Sequence, residues 1–174
     1  MRSYRVQNLP AVIAQSGVMH ESKRGMLRAS TNMDHTTTSN IAKSNVTPLR
    51  IFLVEDSVAV RDLMIDTLSE IPGVVFAGFA EEEDDALKKI DTESFDVLIL
   101  DIELKQGNGM SLLRTLAESR KPLNSLKIIF SNNVSSAFRR AGEKYGVGFF
   151  FDKSSEFTKL RDLLTALGTG VPNH

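Results

Sequence analysis

The residues best able to do chemistry in this sequence are a few acids, one serine and one lysine, each directly after a short apolar run. Glu55-Asp56 follow LRIFLV (Leu49–Val54), Asp101 follows FDVLIL (Phe95–Leu100), Ser131 follows LKIIF (Leu126–Phe130), and Asp152-Lys153 follow VGFFF (Val147–Phe151). If the runs are parallel strands, their polar successors meet beyond the carboxyl ends of a sheet, where open α/β sheets bind ligands. Three of these carboxylates (Glu55, Asp56 and Asp101), one hydroxyl and one ammonium then share a pocket. Clustered carboxylates repel one another unless a cation neutralises them or one is protonated. The chain has no cysteine, and its three histidines, His20, His35 and His174, all lie outside residues 36–173. The ligands are therefore hard oxygens, which favours Mg2+ or Mn2+ held with several waters and a partner phosphate. Lys153 suits a phosphoryl oxygen as a point charge, and Ser131 can donate to a second one. Asp101 is the candidate nucleophile for a phosphoryl group. Taken singly, each residue reads as a helix cap, a turn or a solvated charge; their joint placement carries the functional reading.

The elements that must position these residues alternate. Val58 to Ile71 has helical spacing at Val60, Met64, Thr67/Leu68 and Ile71 and is stopped by Pro72-Gly73. Val74–Ala80 is a further strand, followed by an acidic helix over Glu81–Ile90. A loop from Gln106 to Gly109 opens a helix over Met110–Ser119, and two more helices are expected over about Ser135–Tyr145 and over Glu156–Leu167. Five βα units imply a parallel sheet covered on both faces, and strands buried on both faces read as continuous apolar runs, as these do. The expected fold is a doubly wound α/β domain with a five-stranded parallel sheet, over residues 49–170.

Residues 1–48 carry a net charge of +4 and the remainder −5. The stretch Ser30 to Thr47 is rich in Ser, Thr and Asn without periodicity, so 1–48 reads as a disordered extension in which Leu9–Ala14 is a candidate short helix. No run approaches the ~20 apolar residues of a spanning helix, and no secretory signal is visible. The absence of cysteine excludes disulfides and thiolate chemistry and fits a cytoplasmic protein.

The segments LRIFLVEDS, FDVLILDIEL, GNG, IIFSNN and FFFDKS together resemble the receiver domain of bacterial two-component response regulators. The resemblance implies a flavodoxin-like sheet of order 2-1-3-4-5 with five helices. It implies Asp101 as phosphoryl acceptor, and Mg2+ held by Glu55, Asp56, Asp101 and the backbone carbonyl of Glu103. It implies Lys153 as the contact to the phosphoryl group and a switch formed by Ser131 and the aromatic Phe150. It further implies a histidine kinase or histidine phosphotransfer protein as donor and a downstream protein as target, with a phosphorylation-dependent homodimer left open. On this reading the protein is a phospho-acceptor rather than an enzyme. No helix-turn-helix or cyclase signature follows, so a stand-alone receiver is expected, with no nucleic-acid-binding domain.

Several departures from the family pattern matter. Lys105 replaces the proline usual four residues after the acceptor, which predicts a more mobile loop. Asn132 follows Ser131 where a small residue is usual. Phe150 lacks the hydroxyl of a tyrosine, so its signal must be steric; full burial of its ring, worth about 1.5–3 kcal/mol, would bias a surface roughly tenfold or more. Val58 and Ile65 are expected off the core stripe of the first helix, as apolar docking surface. Two competing readings remain. A dehalogenase-class phosphatase needs a second Asp two positions after its nucleophile, where this chain has Glu103. A phosphorylation-independent scaffold would keep the site without using it. A nucleotide switch is excluded by the lack of a Gly-x-x-x-x-Gly-Lys-Ser/Thr string.

Overall fold

A computed structural model describes residues 47–120 and 123–169; the expected extension over 1–48, apart from its last two residues, the candidate helix Leu9–Ala14 and the domain boundary at 170 lie outside them. Strands and helices alternate in chain order: β1 (Leu49–Val54), α1 (Val58–Ser69), β2 (Val74–Ala80), α2 (Glu83–Thr92), β3 (Val97–Leu100), α3 (Gly109–Glu118), β4 (Leu126–Ser131), α4 (Ser136–Lys144), β5 (Val147–Asp152) and α5 (Phe157–Thr169). The five strands form one parallel sheet of order 2-1-3-4-5.

Successive strand side chains point to opposite faces, and the core divides accordingly. Leu49, Ile51 and Leu53 of β1 pack with Met64 and Leu68 of α1 and Leu160 and Leu164 of α5. Phe52 and Val54 of the same strand pack on the other face with Ile90 of α2 and Leu112 and Leu113 of α3. Both faces of β1 and β3 are covered, which is why their sequences lack alternation. The expected α1 stripe holds at Met64, Leu68 and Ile71, all buried. Pattern reading missed Arg61, which is also buried: its guanidinium lies 4.3 Å from the Phe79 ring centroid and pairs with Glu81 and Asp62.

Element ends follow local chemistry. Ser57 caps α1 by accepting from the Val60 N–H, Asn108 caps α3 by accepting from Met110 and Ser111, and Ser135 caps α4 by accepting from Phe138. Each such cap contributes about 1 kcal/mol. α2 starts at Glu83 rather than Glu81 because Glu82 is still extended, at φ −132°.

The order 2-1-3-4-5 sends the chain leaving β1 to one side and β3 to the other. The carboxyl ends of these two central strands therefore lie side by side at the point where the topology reverses. The start of α3 is drawn tightly onto this point. The Gly109 N–H donates to the Ile102 carbonyl at 2.9 Å, and a Cβ at Gly109 would lie 2.0 Å from the Asp101 carbonyl oxygen. Backbone on backbone cannot yield as a side chain can. Gly109→Ala should therefore destabilise the domain by about 2 kcal/mol or more. Urea unfolding checks this, and unchanged stability would mean that the loop relaxes freely.

Candidate functional site

Glu55 and Asp56 leave β1, Asp101 leaves β3, Ser131 ends β4 and Lys153 follows β5. The Asp101 N–H donates to the Val54 carbonyl at 3.0 Å, continuing the β1–β3 ladder past its last strand residue. The Lys153 N–H donates to the Ser131 carbonyl at 3.1 Å, doing the same between β5 and β4. Sheet hydrogen bonding thus fixes the backbones from which the side chains converge.

The centre of the site is an ammonium between two buried carboxylates. Lys153 Nζ lies 2.6 Å from Glu55 Oε2 and 2.5 Å from Asp101 Oδ2, with side-chain exposures of 10% for Lys153, 1% for Glu55 and 8% for Asp101. The second oxygens are held by backbone: Glu55 Oε1 accepts from the Ser57 N–H at 3.2 Å, and Asp101 Oδ1 from the Glu103 N–H at 3.1 Å. Asp56 is half-buried and bonds elsewhere; its Oδ2 accepts from the Lys105 N–H at 2.8 Å. Among the described residues, Glu55, Asp56 and Asp101 each offer a carboxylate oxygen within 4.8 Å of the others. The donor set is all hard oxygen and acids outnumber the one central lysine, so the pocket fits a divalent cation of the Mg2+ type.

Burial raises the Glu55 carboxyl above its ordinary range, against the hydrogen bond and charge of Lys153, and the Asp101 charge pushes the same way as burial. Burial pulls the Lys153 ammonium down, but its bonds to Asp101 and Glu55 outweigh this and hold it raised.

Ser131 is fully buried, and its Oγ accepts from the Asn133 N–H at 3.4 Å. Phe150 is half-buried on β5, its ring against α4: a Cβ at Gly142 would lie 2.8 Å from ring carbon Cε1, and the Arg139 guanidinium is 5.3 Å from the ring centroid. Glu103 is exposed, and its Oε1 accepts from Asn133 Nδ2 at 3.3 Å.

The structure departs from the sequence reading in several places. Asp152, expected at the shared edge, turns back to accept from Ser154 and Ser155, and these bonds hold its carboxyl below the ordinary range. The loop carrying Lys105 is tethered rather than loosened, because a lysine has the N–H that a proline lacks. Ile65 packs against the core, while Leu63, which sequence reasoning passed over, is 63% exposed and Val58 50%. The signal for Leu63 was available: it stands one position before Met64 on the helix, off the buried stripe.

The response regulator receiver domain model matches residues 51–165. The chain belongs to this family. Over 74 residues it is 38% identical to protein-glutamate methylesterase/protein-glutamine glutaminase 5 of Myxococcus xanthus, which covers 42% of this chain and 21% of that protein. The chain thus spans about a fifth of that relative's length, and the esterase named there concerns the relative. A LuxR-family DNA-binding response regulator from Staphylococcus aureus shares the fold at TM-score 0.61 and 19% identity, covering 69% of this chain and 98% of that one. The Mn(2+)-bound form of response regulator Rcp1 does so at TM-score 0.56 and 15% identity, covering 69% and 91%. Membership of the receiver family supports a phospho-acceptor role for this domain. No helix among the described residues is long and apolar enough to cross a membrane.

Both raised groups favour folding at lower pH. Glu55's contribution is complete below the ordinary glutamate range and is lost as pH rises through its raised value. Lys153's is complete below the ordinary lysine range and is lost above its own raised value. Lys153→Met leaves Glu55 and Asp101 buried without a cation, and should destabilise the receiver domain by about 3 kcal/mol at neutral pH in chelator. The deficit should shrink as pH falls and Glu55 takes a proton, and on adding Mg2+. Thermal unfolding across pH measures it; a deficit independent of both pH and Mg2+ would mean that lost packing, not charge, is responsible.

Proposed function

We propose that this receiver domain accepts a phosphoryl group on Asp101 from a phospho-histidine donor, a histidine kinase or a histidine phosphotransfer protein. The observation that carries this reading is the contact of Lys153 with Asp101 Oδ2, beside the Glu55–Asp56 acids at the carboxyl edge of β1 and β3. Glu55, Asp56, Asp101 and the backbone carbonyl of Glu103 would hold Mg2+ or Mn2+. When bound, the cation neutralises charge developing on the phosphoryl oxygens.

The protein's own part is positioning. The Glu103 N–H holds Asp101 Oδ1, so the carboxylate has one fixed face. An Asp101 oxygen attacks phosphorus, the P–N bond to the donor imidazole breaks, and the bond's electron pair leaves with that ring. Lys153 then exchanges its contact with the carboxylate for one with a phosphoryl oxygen, and Ser131 donates its hydroxyl to another. The phosphoryl group adds about −1.5 to −2 of charge and three acceptor oxygens. Output is by a changed protein-interaction surface or onward phosphotransfer. The same reading places the protein in the cytoplasm, where such donors work.

Acetyl phosphate with Mg2+ should label wild type at Asp101 as a base-labile aspartyl phosphate, and neither Asp101→Asn nor chelator-treated protein should be labelled. Labelling of the Asn variant would refute the assignment, continuous phosphate release would favour a phosphatase, and no labelling at all would favour a scaffold. In the same assay Leu63→Asp, on the exposed face of α1, should slow transfer from the phospho-histidine donor while acetyl phosphate labelling stays as in wild type. Equal loss with both donors would show damage to the fold instead.

The switch follows from Ser131 and Phe150. Ser131 moving towards the phosphoryl group would change the packing beneath α4, where the Phe150 ring lies on Gly142. Beryllofluoride, a phosphoryl mimic, should change partner binding or self-association of wild type. It should do so much less in Ser131→Ala and in Gly142→Ala, whose added methyl displaces the ring. A full response in both variants would confine the change to the loops near Asp101.

A further inference from the structure

The acidic pocket has a second ammonium at its mouth. Lys105 stands in the loop between β3 and α3, and its Nζ donates to the Asp56 carbonyl oxygen at 3.0 Å while its N–H holds Asp56 Oδ2. Lys153 bonds Glu55 and Asp101; Asp56 is the remaining acid of the cluster, and the Lys105 ammonium stands beside it on its backbone carbonyl rather than on its carboxylate. We propose that Lys105 is an inbuilt counter-ion of this pocket, whose charge lowers its affinity for a divalent cation. This rests on the reading of Glu55, Asp56 and Asp101 as a divalent site.

The two lysines differ in what holds them. Lys153 cannot withdraw without stranding two buried carboxylates. Lys105 is exposed and bonded through Nζ to a single neutral carbonyl; it contributes little to folding but sits beside the acids that would receive the cation. A dication entering the pocket meets its positive charge at short range through solvent. In water-like screening, a dication and a single positive charge on the order of 6–8 Å apart repel by enough to change a dissociation constant about three- to tenfold. The effect has a signature that side-chain packing lacks: it fades with salt as the Debye length shortens. The N–H bond to Asp56 survives any non-proline replacement, so charge and backbone tether are separable.

The test is calorimetric titration of Mg2+ into the full chain as wild type, Lys105→Met and Lys105→Arg, at about 0.01 M and about 1 M monovalent salt. Lys105→Met should bind Mg2+ about three- to tenfold more tightly than wild type at low salt, with the gap closing at high salt, and Lys105→Arg should match wild type. Equal affinities for wild type and Lys105→Met at low salt, or weaker binding by the latter, would overturn the proposal. So would Lys105→Arg binding as tightly as Lys105→Met. Mg2+ binding to none of the three proteins would instead remove the divalent site itself, and the role of Lys105 with it.

Discussion

The bridge from Lys153 to Glu55 and Asp101 is the interaction on which the rest of this structure depends. It joins the carboxyl edges of three strands, β1, β3 and β5, through one ammonium. Two carboxylates buried this deeply could not both stay ionised in an apolar setting without a cation. The fold supplies one by setting β4 beside β3 and β5 beside β4, so that a lysine from the far edge reaches back to the centre. Such bridges are weak contributors to net stability because desolvation offsets attraction. Their value here is positional: the bridge holds one oxygen of Asp101 beside a group able to take up phosphoryl charge.

Most of this was legible because the relevant signals are local. Apolar runs ending in a polar residue gave β1, β3, β4 and β5 and their candidate site residues together. Parallel pairing then required those successors to share an edge, with no long-range information needed beyond strand order. What sequence could not show was which way a side chain turns after its strand ends. Asp152 and Lys153 are neighbours at the same edge. Lys153 reaches the pocket, while Asp152 folds back to accept from the Ser154 N–H and the Ser155 hydroxyl. The same limit applies to α1, where burial of Arg61 depends on Phe79 and Glu81 of a different segment.

Lys105 shows how a single departure from a family pattern can be misread when only propensity is considered. Losing a proline removes a restraint on φ, and that alone suggests a looser loop. It also restores an N–H, and here that N–H meets the Asp56 carboxylate at 2.8 Å. A charged hydrogen bond to the backbone contributes more than the restricted dihedral it replaces. The loop is held to the site by the site's own chemistry, which couples its position to whatever neutralises Asp56.

The packing of Phe150 sets the size of any signal it can carry. An exposed ring that became fully buried would gain about 1.5–3 kcal/mol. This ring is already half-buried, lying where a Gly142 side chain would be, with the Arg139 guanidinium over it. Only the remaining burial is available to separate two states, so the gain falls to about 1 kcal/mol, a bias of roughly fivefold rather than tenfold or more. Without a phenolic hydroxyl there is no hydrogen bond to add. A switch of this strength shifts populations but does not lock either state. It therefore needs a partner that binds one arrangement better than the other, and the free-energy difference the partner supplies must be larger than that of the ring.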